Sequence, residues 1–213
     1  MKHPSRQSPT EDPSTLVESA SGLGIDLEGN QVEALLSFEL LLIDRAIPLG
    51  LVATGDRSTL RERHILDSLR GVLALEPSDT EALDLGSGAG LPGIVVAIAR
   101  PSLRVGLVEV RRRRVAFLEL AVERLGLSNV VVLPIPAGRL DQVVDVCFAR
   151  ALAGLSKTWE IARHLLRPEG RLVYFGGEGF READQMPPDA SSLRLLRTPA
   201  LASSGPVVIM TRQ

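Results

Sequence analysis

From residue 30 to residue 75 the apolar positions recur three and four residues apart, which is the spacing of an amphipathic helix. The stretch "NQVEALLSFELLLIDRA" sets Val32, Leu35, Leu36, Leu42 and Ile43 on one stripe, with Glu39 the only charge among them. A second stripe in "TLRERHILDSLRGVLAL" places Ile65, Leu69 and Val72 inward. Thr59 and Glu62 have the spacing of a capping box that would open it. After residue 80 the rhythm changes. Short apolar runs ("EALDL", "LRVGLVEV", "VVVLPI", "VVDVCFA", "GRLVYF") alternate with helical patterns ("LPGIVVAIA", "RRVAFLELAVERLG", "LSKTWEIARHLL"). This alternation predicts an α/β fold, a doubly wound and mostly parallel sheet with helices on both faces. Gly126 falls where a helix C-terminal glycine belongs. The runs "SSLRLLRT" and "GPVVIMTRQ" have no helix between them, so at least one C-terminal strand pair should be antiparallel. Residues 1–13, rich in Pro, Ser and charge, read as disordered. Residues 14–79 then form a helical extension and residues 80–213 the α/β domain.

Composition narrows the function classes. The 213 residues are 45% hydrophobic and 23% charged, an ordinary balance for a folded soluble chain. No apolar run approaches the ~18 residues of a membrane span, and the first residues lack a secretory h-region. One cysteine, Cys147, excludes an internal disulfide and fits a reducing cytoplasm. Cys147 and Trp159 sit in apolar runs and read as core. Three scattered histidines give no zinc pattern, so no metal is expected. A net charge of -2 excludes nucleic-acid binding by bulk charge and leaves room for a local basic patch.

The chemistry concentrates in "LDLGSGAGLPG", residues 83–93, where four glycines follow an aspartate at the end of the first strand. Glycine is placed where backbone must take positive φ or approach a ligand closely. In an open α/β sheet such a loop borders the crevice at the strands' carboxyl ends. Pro92 suits the first turn of the next helix, whose amides would face a polar or anionic group. The "GAGLPG" stretch fits the dinucleotide pattern literally, with Glu109 about 20 residues on, so a nicotinamide-dependent oxidoreductase is one reading. The frame D-x-G-x-G-x-G starting at Asp84 favours a cationic ligand instead. S-adenosylmethionine offers a sulfonium and an ammonium where a dinucleotide offers phosphates. A carboxylate at Glu109 can accept both hydroxyls of a ribose; the plainer alternative is an exposed strand-end residue.

Together with its flanks, the chain resembles the RsmG/GidB family of S-adenosylmethionine-dependent methyltransferases, which act on guanine N7 in small-subunit ribosomal RNA. "ERHILDSL", "LDLGSGAGLPGIVVAIARP" and "VEVRRRRVAFL", followed by "GRL" and "FARALAGL", carry the resemblance over roughly residues 25–213. It implies the class I, Rossmann-like methyltransferase fold and S-adenosylmethionine as cofactor. It also implies 16S rRNA or the 30S subunit as partner, and a cytoplasmic chain expected to be monomeric. The implied cofactor contacts are Gly86, Leu91, Leu140, Asp141 and Arg150. With the loop reading they make a candidate set of Asp84, Gly86, Gly88, Gly90, Leu91, Pro92, Glu109, Leu140, Asp141 and Arg150. Departures from the family pattern are Gly176 in place of a lysine, "SSGPVVI" without the arginine before the last strand, and "GLVATGD" where Asn-Leu-Thr is usual. They leave open a divergent relative with another substrate, or one that only binds the cofactor.

Other charged residues admit two readings each. Arg150, leaving a strand beside the cleft, suits an RNA phosphate or a methionine carboxylate, or else a surface ion pair. The run Arg111–Arg114 is either a solvated face or a phosphate-binding rim joined by Arg57, Arg61, Arg63 and His64. Arg63, His64, Arg113, Arg114 and Arg139 are the candidate RNA contacts. His64 and Asp67 share a helix face; they are either a surface pair or a pin between the helical extension and the catalytic domain. No catalytic acid or base is named, because guanine N7 presents a lone pair and needs none.

Overall fold

The computed structural model describes residues 12–177, 180, 189–198, 201 and 204–213. The expected disordered tail therefore lies outside the described residues up to residue 11. Helix α1 (Pro13–Gly22) starts inside the predicted tail because Asp12 caps it, accepting from the Ser14 amide at 2.9 Å. Helix α2 (Gly29–Leu41) opens on a true capping box, Glu28 with Gln31, and runs into a π-helical turn, Leu42–Ala46.

The expected capping box at Thr59 is absent. Thr59 ends a 3-10 helix (Thr54–Thr59), and its hydroxyl reaches back to the Asp56 carbonyl. The backbone already runs helically through Leu60 into a widened turn, Arg61–Leu66, so there is no fresh helix start for Thr59 to cap. The short α3 (Asp67–Leu69) and a 3-10 turn (Arg70–Ala74) complete the extension. Ile65 and Leu69 are buried as predicted, and Val72 is half-buried.

The alternating region gives strands β1 (Glu81–Leu85), β2 (Arg104–Val108), β3 (Val130–Leu133), β4 (Val144–Arg150), β5 (Leu166–Phe175), β6 (Ala190–Leu196) and β7 (Val207–Arg212). Between them lie α4 (Gly93–Ala99), α5 (Arg112–Leu125) and α6 (Leu155–Ala162). The strand order is β3-β2-β1-β4-β5-β7-β6, parallel up to β5, with β7 antiparallel to both β5 and β6. Strand order reverses between β1 and β4, which is where an open α/β sheet carries its ligand crevice. Gly126 stops α5 at φ 63°.

One apolar core joins the extension to the sheet: Leu35, Phe38, Leu66 and Leu69 pack with Ile94, Leu107, Phe117 and Phe148. On the other sheet face Trp159 of α6 is buried with Cys147, Leu83, Leu172 and Met210 of the strands. Glu39 breaks the apolar stripe of α2 without leaving the core. It is 1% exposed and accepts from Arg61 Nε and Nη2 at 3.0 and 2.9 Å. Burial raises the Glu39 pKa, and Arg61 opposes that rise.

Candidate cofactor and substrate site

The loop after β1 is built by its backbone. Gly86, Gly88 and Gly90 take φ of 73°, 59° and 84°, and the amides of Gly86 and Ser87 both donate to the Val108 carbonyl. A Cβ at Gly90 would lie 2.4 Å from Ile94 Cδ1, so conformation and space both require glycine there. The Ser87 hydroxyl donates to the Asp84 carbonyl at 2.8 Å.

Asp84 turns inward and is 1% exposed; its Oδ2 accepts from the Gly93 amide at 3.0 Å. The start of α4, expected to offer free amides to a ligand, has thus already used its first one on Asp84. The Ile94 amide is likewise occupied, by the Gly90 carbonyl. Oδ1 of Asp84 is buried without a hydrogen-bond partner among the described residues. Burial pushes the Asp84 carboxyl up to about 6, against the pull of the Gly93 amide, the Ser87 hydroxyl and Arg150.

That value lies above the unfolded 3.8, so the folded chain holds the extra proton between the two. Stability without ligand should therefore fall as pH rises through this window. For Asp84→Asn the fall should vanish. The wild-type minus variant difference in urea unfolding free energy is expected to drop by about 3 kcal/mol between roughly pH 4 and pH 7. A difference that stays flat with pH would show that Asp84 ionises normally.

Glu109 follows β2 and is 4% exposed, not the exposed strand end of the plainer reading. Oε1 accepts from the amides of Val110 and Arg111 at 2.8 and 2.9 Å, while Oε2 accepts from Gly88 N and Arg114 Nη1, each at 3.2 Å. Burial alone would raise its pKa; the Arg111 amide, Arg114 and the Val110 amide outweigh it and hold the carboxylate below its usual range. The two short bonds fix the group. The two long ones, on Oε2, are those a diol could displace.

A cavity of about 460 Å³ opens beside Gly86 and Glu109. Its mouth carries Val110, Ile135 and Leu152, which are 56, 37 and 37% exposed. Ile135–Gly138 form the wall contributed by the chain after β3. Leu140 and Asp141 are not brought into this lining: Leu140 packs on the α6 side of the sheet and Asp141 is exposed. Leu91 and Pro92 are buried behind the loop.

Arg150 meets this cavity's neighbour, a second space of about 580 Å³ that shares Ala151 with it and reaches Gly176 and Gly205. The side chain is 18% exposed, so it is no surface ion pair. Nη1 lies 3.4 Å from Asp67 Oδ2 and Nη2 lies 3.2 Å from His64 Nδ1. Because Arg150 can only donate, His64 Nδ1 must accept, and the ring proton sits on Nε2, donated to Asp56 Oδ2 at 3.0 Å. Burial, then Arg150, lower the His64 pKa against Asp56. His64 and Asp67 therefore pin the extension to the end of β4.

The basic rim divides. Arg61 folds onto Glu39 and leaves the surface. Arg114 turns to Glu109 with its side chain 32% exposed, so it lines the first cavity. Arg111, Arg112, Arg113 and Arg139 are exposed, and Arg63 is half-exposed while paired with Asp56 at 3.3 Å. At Gly176, where the resemblance leads one to expect a lysine, a Cβ would lie 3.0 Å from the Pro206 carbonyl. Sequence reading missed Arg70 altogether. Its three-residue spacing from Asp67 was the one signal available.

A glycine loop at the sheet's switch point, a buried carboxylate one strand over and a reversed C-terminal hairpin define a Rossmann-like domain of the methyltransferase kind. Solved structures agree on the fold. A SAM-dependent methyltransferase from Aquifex aeolicus superposes with a TM-score of 0.56 at 19% identity, over 78% of this chain and 98% of that one. A methyltransferase from Geobacter sulfurreducens gives 0.56 at 19% identity, over 84 and 88%. The family model described as rRNA small subunit methyltransferase G matches residues 31–197, and the chain belongs to that family. Ribosomal RNA small subunit methyltransferase G of Xylella fastidiosa is 35% identical over 94% of this chain and 97% of its own. The Ralstonia nicotianae protein of that name is 34% identical over 85 and 82%.

Proposed function

We propose that the protein transfers a methyl group from S-adenosylmethionine to N7 of a guanine in 16S rRNA. The observation that carries this reading is Glu109, held ionised at the edge of an apolar-mouthed cavity that Gly86 also lines. It suits a ribose diol, while the buried Asp84 braces the glycine loop beside it. S-adenosylmethionine supplies an electrophilic methyl on a positively charged sulfur. For that cofactor Glu109, Gly86, Gly88 and Gly90 would hold the sugar, Ile135 and Leu152 would flank the base, and Arg150 would take the methionine carboxylate. Leu140 and Asp141 join this set only on the strength of the resemblance.

Guanine N7 needs no base, so the chain's task is to orient and to exclude water, and well-oriented reactants gain roughly 7–11 kcal/mol over a bimolecular encounter. Arg63, His64, Arg113 and Arg139 are the proposed RNA contacts, a local patch on a chain of net charge -2. On this reading the chain works as a cytoplasmic monomer. The nicotinamide alternative loses support from the sheet. After β5 the chain returns as an antiparallel hairpin, where a second mononucleotide half would need parallel strands.

The test is methyl transfer from labelled cofactor to 30S particles and to naked rRNA, with mapping of the modified base. Label on a guanine N7 is expected. Label on protein or small molecules with none on RNA would overturn the reading.

A further inference from the structure

Arg70 is a buried cation outside the two cavities described above. Its side chain is 1% exposed, yet a buried ion adds little to stability over a well-packed apolar side chain. It bridges segments that lie far apart in the sequence instead. Nε donates to Thr198 Oγ1 at 3.0 Å, Nη2 to the Leu196 carbonyl at 3.1 Å, and Nη1 to the Gly205 carbonyl at 2.9 Å. Nη1 also reaches Asp67 Oδ1 at 2.7 Å. Asp67 thus sits closer to Arg70 than to Arg150, whose contact with its other oxygen is 3.4 Å. One carboxylate neutralises Arg70 and leaves Arg150 loosely held, with donors to spare.

Gly205 is the hinge of the matter. A Cβ there would lie 2.2 Å from the Gly176 carbonyl and 2.4 Å from the Gly177 carbonyl, so the two backbones are pressed together. Gly176 in turn donates to the Pro206 carbonyl at 2.9 Å. These residues are the wall of the second cavity opposite His64 and Arg150. A rigid path therefore runs from the extension through Arg70 to Gly205 and on to Gly176.

We propose that Arg70 is a positioning residue that sets the wall at Gly176, Gly177 and Gly205 of the cavity receiving the target nucleotide. The assignment of that cavity rests on the function proposed above; the strut itself does not. Only arginine's planar fork can bond several acceptors at fixed angles. Arg70→Lys keeps the charge and loses the fork. Thr198→Val removes one partner while leaving the buried charge and Asp67 in place, so it tests the same strut by a smaller change.

In Arg70→Lys amide exchange at Gly176 should speed up at least about tenfold, because local opening is no longer resisted there, and in Thr198→Val, which keeps the bond to Gly205, by a smaller factor. KM for RNA should rise about tenfold in Arg70→Lys, with kcat and the dissociation constant of S-adenosylhomocysteine changed less than about threefold. Unchanged exchange at Gly176 in both variants refutes the strut. A parallel rise in RNA KM and cofactor dissociation constant, tracking the loss in Tm, refutes a positioning role and leaves general destabilisation. Should the wild type methylate no RNA at all, the function fails, while the exchange measurement still decides the strut.

Discussion

Glu109→Gln should weaken binding of S-adenosylhomocysteine about 10- to 100-fold, the loss of one or two hydrogen bonds to a charged group at about 1.5–3 kcal/mol. The amide oxygen of glutamine can still accept from Val110 and Arg111, the two short contacts. Its NH2 group must then face the Gly88 amide and the Arg114 guanidinium, both donors. Loop and ligand lose the same acceptor. Isothermal calorimetry measures the affinity directly, and thermal shift gives a second reading, since a ligand stabilises in proportion to the logarithm of its concentration over its dissociation constant. Equal affinity in the variant would mean that the ribose is held elsewhere, and the assignment of this cavity to a nucleoside would fail with it.

How much of this could be read from the chain depends on how local each feature is. The strands and α5 are written in short-range periodicity, and β1 falls on the predicted residues 81–85. The glycine loop is equally local: positive φ at Gly86, Gly88 and Gly90 is the reason those residues are glycine. What the glycines enclose is not local. Asp84 was legible as an acidic residue after a strand. That it would be buried, bond the Gly93 amide and leave one oxygen bare follows only from how α4 folds back over β1.

Charges were the least legible. The spacing in "RERHILDSLR" shows cations on a helix but not their direction. Arg61 goes to Glu39, 22 residues earlier in the chain, and Arg70 to residues 126 to 135 positions later. The first exists only once two helical segments of the extension pack together, the second only after the extension has packed on the sheet. The wall after β3 shows the same limit. The link to β4 carries only a 3-10 turn, Ala137–Arg139, so Ile135–Gly138 reach the cavity and Leu140 is drawn under the sheet.

The place where loop, carboxylate and helix meet is Gly93, and Gly93→Ala should cost about 2–4 kcal/mol of stability together with most cofactor affinity. Helix propensity alone points the other way, since alanine is favoured over glycine by about 1 kcal/mol in a helix interior. Space decides the sign. The added Cβ would lie 2.5 Å from Leu107 Cδ2, 2.6 Å from Asp84 Oδ2 and 2.8 Å from Asp84 Cβ. Leu107 and Asp84 are both buried, so neither can swing into solvent. Asp84 must move, which breaks its bond to the Gly93 amide inside a closed core and shifts the loop that carries Gly86 to Gly90. Gly29→Ala, at the start of α2 with nothing within 4 Å of the new methyl, is the matched control and should be neutral or slightly stabilising. Urea midpoints of the two variants, with cofactor titrations on the folded fraction, separate the cases. If Gly93→Ala unfolds at the wild-type midpoint and binds S-adenosylhomocysteine normally, then Asp84 does not brace the loop in the way its burial and its bond to the start of α4 require.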